Sequence, residues 1–171
     1  MLQLLLAGVH LRPWRIGDEE SLVHHANNRN IWLNVDDLFP FPYTLDDAHI
    51  WIQHCIAEKP CRQFAIVVEG KSVGGIGIVL KEGIRRKTAE IGYWLGEEFW
   101  NKGITTEAVK AVTDYAFSTF DICRIQATVF PHNKASGRVL QKAGYSLESC
   151  LQKGIIKDGK IIDEHIYAIV R

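Results

Sequence analysis

The sequence predicts an α/β domain on a mixed, mostly antiparallel sheet, and three observations predict it. Apolar residues alternate with period two in short segments, the mark of half-buried strands. Elsewhere they recur at helical spacing. The strand-helix-strand unit over 88–130 should be parallel and right-handed, whereas consecutive strands joined by short turns pair antiparallel. Read along the 171 residues, the order is strand, two helices, three strands, helix, strand, helix, two strands. That makes about seven strands and about four helices.

Residues 9–14 alternate like a strand. Asp18, Glu19 and Glu20 then open a helix running to about Asn30, with acids in its first turn as the helix dipole favours. Leu38-Phe39-Pro40-Phe41-Pro42-Tyr43 is an aromatic, proline-rich loop. Thr44 and Asp47 form a capping box, Asp47 standing where Glu is usual, and start a second helix to about Glu58. Ala48, Trp51, Ile52, Cys55 and Ile56 mark its core face. Residues 64–68 and 73–80 are strands joined by a turn at Glu69-Gly70-Lys71. Residues 88–95 are a third strand of this group. Residues 105–117 are a helix with Ala108, Val109, Val112 and Ala116 on one face. A strand over 122–130 precedes a short helix over 133–143, closed by Gly144. Residues 145–151 and 161–170 are the last strands, with a turn at 157–160.

Composition narrows the function classes. The chain is 47% hydrophobic, enough for a sizeable core, and its length fits one domain spanning 1–171. Twenty basic residues balance 20 acidic ones, so the basic stripe of a nucleic-acid binder is absent. Arg85, Arg86 and Lys87 read as a solvated hairpin tip. Cys55, Cys61, Cys123 and Cys150 show no C-x-x-C spacing and read as buried free thiols, which favours a reducing, cytoplasmic setting. His24 and His25, and His49 and His54, lack the i, i+4 spacing of a metal site, so no metal is expected. The apolar start, residues 1–10, has no basic n-region and reads as the lead-in to the first strand. No run approaches the ~18 apolar residues of a membrane span.

Between the strand ending at Leu95 and the following helix lies Trp100-Asn101-Lys102-Gly103-Ile104-Thr105-Thr106. Gly103 allows a tight turn and close backbone approach. The free N–H groups of the helix start, Lys102, and the hydroxyls of Thr105 and Thr106 make a cradle for a pyrophosphate. A glycine before a helix also serves plain geometry, and local chemistry leaves both readings open. Gly74-Gly75-Ile76-Gly77 leads into no helix, so it is not a dinucleotide fingerprint. Asn101 and Gly103 depart from the P-loop pattern.

Ala89-Glu90-Ile91-Gly92-Tyr93-Trp94-Leu95, then Phe99-Trp100-Asn101-Lys102-Gly103-Ile104-Thr105-Thr106-Glu107-Ala108, resembles the acetyl-CoA motif of the GNAT superfamily of N-acetyltransferases. A second motif, Asn133-Lys134-Ala135-Ser136 through Val139, Gln141, Lys142, Gly144 and Tyr145, is similar to the branch typified by RimJ and RimL, which acetylate ribosomal-protein N-termini. The loop 39–44 with Asp46, Asp47 and Ala48 is similar to that branch as well. The resemblance implies the GNAT fold, with a splayed parallel strand pair forming the acetyl-CoA cleft. It implies acetyl-CoA as cosubstrate and a primary amine as acceptor, either a protein N-terminus or a small molecule. A homodimer is a further possibility it raises; nucleic acid and membrane are not expected partners. Trp100 fills the first position of the coenzyme pattern, as is usual in this branch. Thr105 fills the last, where a smaller residue is usual, and either crowds the pyrophosphate or bonds it.

Transfer needs a neutral amine, so a base must take its proton. Backbone N–H groups can stabilise the oxyanion, and the leaving thiolate, pKa about 8.5 for a free thiol, benefits from a donor. The resemblance points to Glu90 as base, against a solvated or ion-paired strand glutamate. It points to Ser136 as donor to the thiolate, against a helix-start hydrogen bond. Tyr93, Trp94 and Leu95 match the family's oxyanion and coenzyme strand. Trp100, Asn101, Lys102, Gly103, Ile104, Thr105, Thr106, Asn133 and Lys142 match coenzyme contacts, with N-capping as the other role for Asn133. Trp32, Phe39, Phe41 and Tyr43 are candidate walls of the acceptor pocket, about half of them core by the usual partition of aromatics. Tyr145 reads as core and His132 as a loop histidine. A non-catalytic acyl-CoA-binding or regulatory protein on the same fold is the competing reading; the joint presence of Glu90 and Ser136 favours the enzyme.

Overall fold

The computed structural model of the chain describes residues 2, 3, 6 and 8–171. The reading of residues 1–10 as a lead-in strand falls in part outside the described residues, at Met1, Leu4, Leu5 and Ala7. Leu2–Gln3 (β1) pairs antiparallel with His10 and Leu11 of β2 (Val9–Pro13).

Helices α1 (Glu19–Ala26), α2 (Arg29–Trp32) and α3 (Leu45–Ala57) follow. Then come β3 (Gln63–Val68), β4 (Lys71–Leu80), β5 (Thr88–Leu95), α4 (Ile104–Thr119), β6 (Arg124–Val129), α5 (Lys134–Lys142), β7 (Ser146–Lys157) and β8 (Lys160–Val170). Together the strands form one 8-stranded sheet in the order β1-β2-β3-β4-β5-β6-β8-β7. Among the described residues, only β5 and β6 pair in parallel. The expected mixed sheet is therefore present, with the two-residue β1 added at its edge.

The central strands are apolar on both faces because the sheet is covered on both. In β3, Phe64 and Ile66 enter a core with α4 and α5, while Ala65 and Val67 enter a second core with α1 and α3. That is the period-two alternation carried into two separate apolar layers. The α4 face expected from spacing is real: Ala108, Val109, Val112 and Ala116 are all fully buried.

The single helix expected over 18–30 is two. Asn28 breaks it, its side-chain oxygen accepting the N–H groups of Asn30 and Ile31 to cap α2. An Asn side chain that bonds nearby backbone competes with the helix ladder, and here it wins. Before α1, Arg12 and Asp18 form a buried bidentate pair, at 2.6 and 2.7 Å. Thr44 and Asp47 make both bonds of the capping box.

Strand β7 extends well past the expected end at 151. Its pairing with β8 shifts between Leu151 and Ile155, and Lys153 sits there with positive φ, its N–H donating to Oδ1 of Asp163. This bulge hides the period-two pattern on the sequence. The cysteines are all free, but only Cys55 is buried; Cys123 and Cys150 are exposed. No helix among the described residues is long and apolar enough to cross a membrane.

Candidate active site

The parallel strands part soon after they meet. β5 and β6 pair only over residues 88–90 and 124–126, so residues 91–95 and 127–129 border an open split. The backbone edge of 91–95 facing β6 has no strand partner there.

At the end of β5 the chain turns into α4. Nε1 of Trp100 donates to the carbonyl oxygen of Leu95 at 2.7 Å, tying the start of the turn to the strand it leaves. Asn101 and Gly103 both have positive φ, at 60° and 76°. Gly103 is the N-cap of α4, and no side chain caps that end. The N–H groups of Ile104, Thr105 and Thr106 thus lack helical acceptors and carry the positive end of a 16-residue helix. A Cβ on Gly103 would meet nothing in the protein, so the space beside it is open to a ligand. The ammonium of Lys102 lies over the Phe99 ring at 5.2 Å. These are the elements of a phosphate cradle.

Across the split stands α5. Asn133 is its N-cap, its Oδ1 accepting the N–H of Ser136 at 3.1 Å. The hydroxyl of Tyr93 lies 2.8 Å from Oγ of Ser136. Burial pushes the Tyr93 phenol well above its usual range, partly offset by that hydrogen bond. Gly137 lies against Tyr167: a Cβ there would stand 2.8 Å from the Tyr167 hydroxyl.

On the other face of β5, Glu90 is ion-paired with Lys81, Nζ to Oε2 2.5 Å, both about a third exposed. Trp94 fits beside β4 because Gly75 has no side chain; a Cβ there would stand 2.7 Å from the indole nitrogen. The glycines of β4, which make no nucleotide fingerprint, thus serve packing.

One cavity of about 1240 Å³ joins these parts. Tyr93, Trp94, Leu95, every residue from 100 to 106, Asn133, Ser136 and Lys142 line it, as do Glu90, Phe39 and Tyr43. Trp32 and Phe41 are not among its lining residues. They stack on each other at 5.6 Å. Trp32 also lies under the ammonium of Lys157, 4.0 Å from its ring centroid. The buried Lys157 bonds Oδ1 of Asp37 at 2.6 Å, and Arg29 bonds Asp158. The β7–β8 turn is thereby fastened over the aromatic loop.

His132 is exposed and outside the cavity lining. Tyr145 is core, its hydroxyl bonded to Thr113 at 2.7 Å, and burial raises it to about 12. Sequence reasoning missed Glu164 of β8. It lines the cavity, half-buried, and accepts from the Thr128 hydroxyl at 3.0 Å. No local motif marks it, because β7 and β8 place it opposite β5 only through sheet order. Helix spacing also overlooked that Glu98 approaches His24 and His25, their ligand atoms all within 4.8 Å of one another. Burial first, and then neighbouring His24, hold the His25 imidazole below its ordinary value.

Residues 9–146 match the family described as Acetyltransferase (GNAT) domain. The chain is 44% identical to the Probable N-acetyltransferase YjcK of Bacillus subtilis strain 168, covering 95% of this chain and 93% of that one. It superposes on Mycobacterium smegmatis RimJ in complex with CoA-disulfide with TM-score 0.81 and 27% identity, covering 95% of this chain and 81% of that one. It also superposes on the microcin C7 self-immunity acetyltransferase MccE in complex with acetyl-CoA and AMP, with TM-score 0.84 and 26% identity, covering 97% and 94%. Sheet, split and cradle together are those of an N-acetyltransferase. The chain belongs to the GNAT acetyltransferase family.

Proposed function

We propose that this N-acetyltransferase binds acetyl-CoA in the split between β5 and β6, and that a primary amine attacks the thioester directly in a ternary complex. The observation that carries this reading is the single cavity joining the 100–106 cradle, Ser136, Glu90 and the aromatic loop. At about 1240 Å³ it exceeds the roughly 300–1,000 Å³ of a single small-molecule site, which supports room for coenzyme and acceptor side by side.

In this mechanism the α4 N-terminus, Lys102, Thr105 and Thr106 hold the pyrophosphate. Trp100 and Asn101 shape the turn, and Lys142 and Asn133 face the coenzyme from α5. The free backbone edge of 93–95 accommodates the pantetheine and the oxyanion. Glu90 takes the amine proton, directly or through a water. The C–S bond breaks as the N–C bond forms, and Ser136 donates a hydrogen bond to the departing sulfur. Phe39 and Tyr43 wall the acceptor side. RimJ with CoA-disulfide and MccE with acetyl-CoA share this fold, which supports acetyl-CoA as the cosubstrate; the acceptor in this reading is a protein N-terminus or a small amine. Glu164 is a second candidate base, because it lines the same cavity and, among the described residues, has no cationic partner within ion-pair distance.

A thiol-release assay with acetyl-CoA and a panel of amines, including N-terminal peptides, polyamines and amino acids, tests the proposal. Turnover on at least one amine is expected. Tight coenzyme binding without turnover on any amine points instead to a non-catalytic acyl-CoA-binding protein.

A further inference from the structure

We propose that Tyr93 is a positioning residue that sets the polarity of Ser136: the phenolic O–H donates to Oγ of Ser136, so that the serine hydrogen is left to point at the coenzyme sulfur. The inference rests on the preceding reading that Ser136 faces the thioester.

The geometry carries it. Tyr93 Oη has Oγ of Ser136 at 2.8 Å and the carbonyl oxygen of the same residue at 3.4 Å. A carbonyl oxygen only accepts. Tyr93 has one hydrogen to give, and the short contact is the favourable place for it. If Ser136 donated instead, Tyr93 would have only the long contact to the carbonyl. The backbone of Ser136 is fixed independently, its N–H donating to Asn133. The serine is therefore held at its amide and at its hydroxyl oxygen, and only the hydroxyl hydrogen is uncommitted. A bare serine hydroxyl is a free rotor; Tyr93 removes that freedom before the coenzyme arrives, which is preorganisation of a donor toward developing charge. Burial raises the phenol above its ordinary range, which favours its neutral, hydrogen-donating form.

The chemistry balances without a proton leaving Tyr93. The amine proton goes to the carboxylate base, the N–C bond forms, and the C–S electron pair stays on sulfur. The resulting thiolate accepts the Ser136 hydrogen bond and is protonated from solvent on release.

The test reads the bound coenzyme directly. The thiol of CoA in the binary complex is titrated by its thiolate ultraviolet absorbance. The complex with desulfo-CoA serves as the blank that cancels the 4 cysteines. Bound CoA is expected to titrate at lower pH in the wild type than in Ser136→Ala. Tyr93→Phe shifts that titration upward toward the Ser136→Ala position and has no effect in the Ser136→Ala background. In turnover, Tyr93→Phe lowers kcat about five- to tenfold, the size of one neutral hydrogen bond, with KM for acetyl-CoA unchanged. A wild-type titration in Tyr93→Phe overturns the proposal. So does an undiminished Tyr93→Phe effect in the absence of Ser136, which would mean that Tyr93 acts on the sulfur itself. If wild-type CoA titrates as it does free in solution, or does not bind, the reading of Ser136 fails and the positioning role falls with it.

Discussion

Nζ of Lys81, just past the end of β4, stands 2.5 Å from Oε2 of Glu90 on the neighbouring strand β5. The pair is partly exposed, so its stabilising value is small, within about 1 kcal/mol. Its consequence is orientation: it holds in place a carboxylate that lines the cavity, the one proposed above as the base. Glu90→Gln is expected to lower kcat by about 10²- to 10⁴-fold, and Lys81→Met by less than tenfold. Steady-state kinetics on the best amine found in the panel checks both. A near-wild-type Glu90→Gln together with a large loss in Glu164→Gln would transfer the role to Glu164.

Gly103 sits at φ 76° with open space where its Cβ would be. Gly103→Val introduces strain of roughly 1–2 kcal/mol for a side chain in the left-handed region and fills the space beside the free N–H groups. The domain is expected to stay folded, melting a few degrees lower at about 2–4 °C per kcal/mol, while acetyl-CoA binding is lost. Calorimetric titration with CoA beside a thermal melt separates the two effects; unchanged affinity would remove the pyrophosphate from this turn.

Arg12 and Asp18 are 7% and 5% exposed, and their pair also receives the N–H of Arg15. Removing one partner strands a buried charge. Asp18→Ala is expected to cost about 3–5 kcal/mol, measured by denaturant unfolding. Exchanging both residues for apolar ones of similar size should cost much less, because the penalty lies in the orphaned charge.

The lowered His25 makes stability depend on pH. Unfolded, the imidazole takes a proton near its ordinary 6.5; folded, it resists until lower pH. As pH falls through 6.5 toward the folded value, the unfolded chain binds the extra proton, so stability drops. Melting temperatures between about pH 7.5 and about pH 5.5 should fall more steeply in the wild type than in His25→Gln. Parallel curves would show that His25 does not control this range.

Lys157 is a buried lysine whose ammonium reaches Asp37 and the face of Trp32. Lys157→Met keeps the stem but releases the loop that carries Phe39 and Tyr43. The expected result is a raised KM for the amine with KM for acetyl-CoA unchanged. An equal rise in both would place the effect on the whole cleft rather than on its acceptor side.

Much of this protein was legible in the sequence. Strand alternation, the Thr44–Asp47 box and the turn around Gly103 are local signals, each set by residues within a few positions of one another, and local sterics and hydrogen bonding determine them wherever they occur. The order of elements followed, and with it the parallel pair; the split between its strands was implied only by the family resemblance. The tertiary structure alone decided which side chains meet. Tyr93 of β5 bonds Ser136 of α5, and Lys81, just past the end of β4, pairs with Glu90 of β5. Glu164 enters the cavity because β8 inserts between β6 and β7. Trp32 and Phe41 turn to each other, and Trp32 lies under Lys157, a residue 120 positions from Asp37 in the chain but 2.6 Å away in space. Such contacts depend on strand order, bulges and the packing of distant elements, which no period or motif encodes; composition told which chemistry was present, and the folded sheet determined where it was brought together.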